Sequence, residues 1–221
     1  MKVLVIIPAY NESENIPNLM GKINELSYDY LVINDCSVDN SAYLLNSMKI
    51  NHLDLPVNIG LAGVTQMGFR YAYENNYDAA IVIDGDGQHP PVYIKSLLDK
   101  LNEGYDYVIG SRYINQKKPW SLRMIGSRLI SLAIKLKTGK RIDDPTSGMR
   151  ALGKRVLKEF AYEMNFVSES DALTHILKNN LKVCETQVSM EQRESGVSYF
   201  DGIFKSGKFM INVLISIIFI Q

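Results

Sequence analysis

The first 84 residues hold four short apolar runs, each with a polar end, and a helical pattern separates each run from the next. Residues 3–7, 31–33, 52–57 and 78–84 read as strands, the third weakened by Pro56, which belongs at a strand end or a sheet edge. Helices are expected between them. The first starts near Ser13 or Asn15, with Pro17 tolerated in its opening turn; the second starts at Asp39 or Asn40; the third runs from residues 60–63 to about Asn75. A β-α-β-α-β-α-β rhythm calls for a mostly parallel sheet with right-handed crossovers, and it sets a ligand crevice at the carboxyl ends of the strands.

The strand ends are polar: Tyr10-Asn11-Glu12, Asn34-Asp35 and Asp84-Gly85-Asp86. Carboxylates at i and i+2 of a strand point the same way, and the adjacent glycines let a ligand approach the backbone. A divalent cation bridging a diphosphate would suit that pair, because hard cations prefer carboxylate oxygen and share their shell with phosphate. Asp-Gly is also common in turns, so the stretch AAIVIDGDGQHPP alone reads equally as a solvated turn. Three such ends on one sheet edge favour a site. The helix opening at residues 60–63 adds backbone N–H groups suited to phosphate, although Gly60 and Gly63 also fit a turn and Asn11 and Asp39 also fit caps.

The second half is less regular. A helix over 93–101 places Ile94, Leu97, Leu98 and Leu101 on one face, and a strand over 107–110 ends in Ser111-Arg112. The helix expected over 122–136 carries a stripe of Ile125, Leu129, Leu132 and Leu136, with Arg123, Ser127 and Arg128 on another flank. Asp143 to Arg150, DDPTSGMR, breaks the pattern before helices over 154–161 and 169–178 and a strand over 182–191. The tail, 203–220, is apolar except Lys205, Lys208, Asn212, two serines and a glycine, and its uninterrupted part is shorter than the ~20 residues that span a bilayer. A core helix, an in-plane interfacial helix and the stump of a longer membrane segment all fit, and Lys205 and Lys208 beside Phe204, Phe209 and Phe219 point toward an interface.

Charge is unevenly spread behind a formal net of zero. Residues 1–116 hold 7 Lys/Arg against 14 Asp/Glu, residues 117–141 hold 8 basic residues and no acidic one, and the remainder is nearly balanced. The basic run is either a solvated face or a receiver of an anion. With 46% hydrophobic and 22% charged residues the chain is neither disordered nor a multi-span membrane protein. Cys36 and Cys184 lie apart without metal or redox spacing, which suits a reducing compartment, and the N-terminal apolar run is too short for a secretory leader. No GxGxxG follows the first strand, which disfavours a nicotinamide dehydrogenase.

Seven motifs in order then carry a resemblance: IIPAYNE, VINDCSVDNS, NIGLAGVTQMG, VIDGDGQHPP, IGSRY, DDPTSGMR and QRESGVS. The chain resembles an inverting family-2 glycosyltransferase of the polyprenyl-phosphate sugar synthase branch, to which the dolichyl-phosphate mannose synthases belong. The resemblance implies an α/β GT-A (Rossmann-like) fold. It also implies one catalytic domain over 1–200, with a nucleotide-sugar half (1–116) and an acceptor half (117–200), and an amphipathic or apolar C-terminal helix over 201–221. By the same resemblance Pro8, Tyr10, Glu12, Asp35 and Asp84 hold the nucleotide sugar, Asp86 and Gln88 hold Mg²⁺ or Mn²⁺, and Arg193 closes over the donor. Arg112, Arg123 and Ser127 match the positions that bind acceptor phosphate. The implied partners are a nucleoside-diphosphate sugar, a polyprenyl phosphate and the cytoplasmic face of a membrane, where the protein would be peripheral. No nucleic-acid partner is expected, and a homo-oligomer is left open. Asn34 and Cys36 depart from the family's more frequent aspartate and glycine, which leaves the nucleobase open. The segment Glu169-Ser170-Asp171 lies where relatives with hydroxyl acceptors often carry an acidic pair, so a hydroxyl acceptor stays open too, as does a non-catalytic nucleotide-sugar-binding module.

Overall fold

A computed structural model of the chain describes residues 1–162, 166, 168–191 and 203–220, without the side chains at 122, 123, 203–206, 208 and 209. The first apolar run forms β1 (Val3–Ala9), buried along its whole length. It pairs in parallel with β2 (Asp29–Asn34) on one side and β4 (Ala79–Val82) on the other, and β2 pairs in parallel with β3 (His52–Asp54). Helices α1 (Ile16–Asn24), α2 (Ser41–Ser47) and α3 (Gly60–Glu74) make the crossovers. The expected rhythm is therefore present, and β3 is a three-residue edge strand, as Pro56 demanded.

Strand alternation divides the core into two layers. Val3, Val5 and Ile7 pack with Ile16, Leu19 and Ile23 of α1 and with Ile94 and Leu97 of α4 (Ile94–Asn102). Leu4 and Ile6 point the other way, toward Val64 and Phe69 of α3. That approach requires Gly68, because a Cβ there would lie 2.5 Å from Ile6 Cγ2.

Beyond β4 the sheet continues through β5 (Tyr107–Ser111), β6 (Arg150–Gly153) and β7 (Val183–Gln187), in the order β3-β2-β1-β4-β6-β5-β7. Only β6 is antiparallel to its neighbours, β4 and β5. The sequence pattern predicts no strand at β6. The four residues of β6, just before α6 (Lys154–Tyr162), are too few to show a period, and their pairing is with distant strands. The resulting α/β fold is GT-A-like, with a mostly parallel central sheet flanked by helices.

Helix α5 (Leu122–Thr138) begins at Ser121, whose Oγ accepts from Met124 N at 3.3 Å, and ends at Gly139 in the left-handed region at φ +73°. Its apolar stripe turns outward: Ile125, Leu129, Leu132 and Leu136 are exposed, the last at 80%. The core instead takes Met124, Ile130, Ala133 and Ile134 from the adjacent flank. Helix α7 (Glu169–Lys178) lies beside it, and α8 (Ile203–Ile215) continues into a π-helical turn over Ser216–Ile220 that packs on both. Val213 and Ile217 enter the core, whereas Ile211, Ile215, Ile218 and Phe219 are exposed. Of the residues that pointed to an interface, the side chains of Phe204, Lys205, Lys208 and Phe209 lie outside the described residues. Among the described residues no helix is long and apolar enough to cross a membrane.

Candidate active site

The carboxyl ends of β1, β2 and β4 meet as the rhythm requires. Pro8 lies buried in β1, and its carbonyl accepts from Gly85 N at 3.0 Å. A Cβ on Gly85 would lie 2.7 Å from that oxygen, so only glycine lets the Asp84–Asp86 turn close against β1. Tyr10 is 43% exposed at the rim. Glu12 is buried, with Oε2 accepting from Asn15 Nδ2 at 2.5 Å and its N–H donating to Ser41 Oγ at 3.0 Å. Asp35 is also buried. Its two oxygens accept from Ile59 N at 2.7 Å and Gly60 N at 2.9 Å, the amides at the start of α3. Asp39, below it, accepts from Ser13 and Ser41; burial pushes its carboxyl up, but these hydrogen bonds win and hold it below the ordinary carboxylate value. Nearby, Asn34 Nδ2 donates to Asp54 Oδ1 at 2.7 Å, which ties β2 to the edge strand.

After β4 the acidic pair comes together with a third group. One donor atom each from Asp84, Asp86 and His89 lies within 4.8 Å of the others. Asp86 Oδ1 also accepts from Gln88 N at 3.0 Å, and Gln88 Nε2 donates to Glu191 O at 3.4 Å. Gly148 lies beneath Asp84: a Cβ there would come 2.1 Å from Asp84 Oδ2. Two partly exposed carboxylates on a turn held by glycines, above a buried imidazole, form a donor set that fits a divalent cation.

The end of β5 supplies positive charge. Arg112 forms a two-pronged pair with Asp144, Nε to Oδ2 at 2.6 Å and Nη2 to Oδ1 at 2.7 Å, and Asp144 is fully buried. Burial pulls the Arg112 pKa down, yet the Asp144 carboxylate outweighs it and leaves it raised. Asp143 and Asp144 donate their N–H groups to Glu185 of β7 at 2.7 and 2.8 Å. Burial pushes the Glu185 carboxyl above its ordinary value despite those bonds. Ser127 faces inward from α5 and is buried; its Oγ accepts from Lys118 Nζ at 2.9 Å and lies 3.3 Å from Thr146 Oγ1. No carboxylate lies within ion-pair distance of Lys118 among the described residues. Desolvation depresses its pKa, and the Arg112 and Arg128 charges add to the shift against an opposing pull from Asp144. The side chain of Arg123 and all of Arg193 lie outside the described residues.

Neither Lys118 nor His89 was singled out in the sequence. Lys118 is one of eight basic residues in a row of 25, and only the fold shows which of them turns inward. The signal for His89 was its place directly after the acidic turn. The carboxylates at 169–171 are engaged structurally. Glu169 pairs with the buried Arg150 at 2.8 Å. Asp171 is fully buried and forms a capping box with Ser168, while its Oδ2 accepts from Ser216 Oγ at 2.9 Å.

Fold and site together define a GT-A-like α/β glycosyltransferase. The chain belongs to Glycosyl transferase family 2, whose profile matches residues 4–161. It is 28% identical over 217 residues to the polyprenol monophosphomannose synthase of Mycolicibacterium smegmatis, covering 91% of this chain and 82% of that one. It is 29% identical over 211 residues to the UDP-N-acetylglucosamine–dolichyl-phosphate N-acetylglucosaminyltransferase of Methanococcus voltae, covering 84% of each. Its fold matches that of glucosyl-3-phosphoglycerate synthase from Mycobacterium tuberculosis in complex with Mn²⁺, UDP and glucosyl-3-phosphoglycerate. The TM-score is 0.74 at 17% identity, over 98% of this chain and 79% of that one.

Proposed function

We propose that this enzyme moves a sugar from a nucleoside diphosphate to a polyprenyl phosphate, with inversion at the anomeric carbon. The observation that carries the reading is the segment from Asp144 to Gly148, which serves two places at once. Gly148 supports the Asp84 carboxylate, Thr146 meets Ser127 beside Lys118, and Asp144 holds Arg112. An acidic centre and a cationic corner are thereby joined by five residues, as a donor diphosphate and an acceptor phosphate would need. The two relatives named above differ in sugar but share a polyprenyl-type phosphate in their names, which supports that acceptor.

On this reading residues 1–116 hold the donor. Pro8, Tyr10 and Glu12 face its nucleoside, and Asp35 shapes that wall by capping α3. Asp84, Asp86 and Gln88 would hold Mg²⁺ or Mn²⁺, which when bound offsets the charge that develops on the departing diphosphate. Arg193 is assigned to the same diphosphate from the sequence. Residues 117–200 hold the acceptor, with Lys118 and Ser127 donating to its phosphate, Arg123 assigned from the sequence, and Arg112 fixed by Asp144 as the wall between the two anions. A phosphate monoester is largely ionised at neutral pH, so its oxygen attacks without a strong general base. The buried, bonded state of Asp171 favours this acceptor over a hydroxyl, which needs a base within reach.

The acceptor's chain requires a membrane surface, and the exposed stripe of α5 fits one. Ile125, Leu129, Leu132 and Leu136 lie beside the outward residues of α8 and its π turn, among the basic residues of 117–141. The direct test offers a panel of nucleotide sugars with undecaprenyl phosphate in detergent and Mg²⁺ or Mn²⁺. Glycolipid should form with the wild type and not with Asp86→Ala, and full transfer by that variant would refute the metal assignment.

A further inference from the structure

The most anomalous polar group near the site is His89. It is 2% exposed, and neither ring nitrogen has a hydrogen-bond partner among the described residues. Buried polar groups are almost always satisfied, so an imidazole left this way points to a missing partner. Its Nδ1 lies 3.6 Å from Asp84 Oδ2. That is too long for a hydrogen bond. It is the separation expected of two atoms that share a cation: with bonds of about 2.1 Å, neighbouring ligands lie about 3 Å apart and opposed ones about 4 Å. One donor atom each from Asp84, Asp86 and His89 lies within 4.8 Å of the others, so a small side-chain rotation brings all three onto one ion.

We infer that His89 Nδ1 is a direct nitrogen ligand of the divalent cation, joining the oxygen ligands of the acidic turn. The inference rests on the metal-dependent reading above and adds an ion preference to it. Mg²⁺ holds to oxygen, whereas imidazole suits first-row transition ions, so a nitrogen ligand biases this site toward Mn²⁺. The backbone supports the placement. His89 precedes Pro90 and Pro91, whose fixed φ angles limit the freedom of the chain leaving the turn, and Pro91 opens the short 3-10 helix (Pro91–Tyr93) before α4.

The test uses the whole protein with Mn²⁺ and inorganic pyrophosphate as probes, read by pulsed electron paramagnetic resonance and by calorimetry. Wild type should show nitrogen coupling to bound Mn²⁺. The coupling should vanish in His89→Asn and persist in Gln88→Ala. Mn²⁺ affinity should fall at least tenfold in His89→Asn, and Mg²⁺ affinity by less. Mn²⁺ that binds in an Asp86-dependent way with no nitrogen coupling would overturn this inference and leave the metal reading standing; His89 would then only position Asp84. No Asp86-dependent Mn²⁺ binding would overturn both. The wild-type spectrum decides even if His89→Asn fails to fold.

Discussion

Gly148→Ala is a one-carbon perturbation whose effect follows from a single contact. The position has no left-handed backbone demand, so alanine costs nothing in φ and acts through its Cβ alone. That atom would lie 2.1 Å from Asp84 Oδ2 and 2.9 Å from Cγ, where ordinary contact starts near 3.4 Å. The obstacle is the end of a flexible side chain, so Asp84 yields, and its carboxylate retreats by roughly 1.3 Å, the difference between the two distances. A misplacement of about 1 Å at a reacting centre can cost about 10²-fold in rate, or about 2.7 kcal/mol of barrier. Added strain from overpacking is about 1–3 kcal/mol of stability. The assay is steady-state transfer with Mn²⁺ titrated at saturating donor, alongside urea unfolding to measure the folded fraction. Expected results are kcat reduced about a hundredfold, weaker Mn²⁺ activation and a protein still folded. Unchanged kcat and Mn²⁺ dependence would refute the claim that Gly148 sets the position of Asp84 for catalysis.

Asp144→Asn removes the buried counter-charge of the half-buried Arg112 guanidinium and should destabilise the fold by about 1.5–3 kcal/mol in urea; a change below about 0.5 kcal/mol would mean Arg112 finds another partner. Because the folded Lys118 pKa is depressed, its ammonium loses its proton below the ordinary lysine value, and the KM for lipid phosphate should rise on the alkaline side before pH 10.5. Lys118→Arg should move that limb to higher pH, and an unmoved limb assigns it to another group. For stability the sign is opposite: the depressed ammonium costs stability at neutral pH, a cost relieved as pH rises through the folded pKa toward 10.5, and Lys118→Met should flatten that rise in urea titrations. Asp171→Asn should cost about 0.5–1.5 kcal/mol through weakened hydrogen bonds to Ser168 N and Ser216 Oγ while transfer per folded molecule persists, and a dead but stable variant would restore a hydroxyl acceptor. The double variant Leu129→Glu and Leu132→Glu should lose sedimentation with anionic vesicles while transfer to a short-chain soluble acceptor is retained; undiminished sedimentation would place the membrane contact elsewhere.

The parts of the molecule legible in the sequence are those whose signal is local. Continuous apolar runs ending in polar residues gave away β1, β2 and β4 and the crevice above them, because a strand buried on both faces needs no partner to be recognised. Asp84 and Asp86 were legible for the same reason. Strand β6 was not, since four residues acquire their strand character only from pairing with β4 and β5. The stripe of α5 was visible as a period, but its direction was set by which flank could meet Val213 and Ile217, and the less regular flank with Met124 and Ser127 went inward. Lys118 and His89 show the same limit, since a lysine becomes a desolvated cation, and a histidine an unpartnered one, only when distant elements close over them.

A competition between two lipids that share a chain shows whether the acceptor group is a phosphate. The enzyme is given a labelled nucleotide sugar with Mn²⁺ and an equimolar mixture of undecaprenyl phosphate and undecaprenol, which differ only in the headgroup. Label should appear on the phosphate-bearing lipid alone, with the anomeric configuration of the product opposite to that of the donor. Label on undecaprenol, or on a glycan hydroxyl with the lipid phosphate untouched, would contradict it.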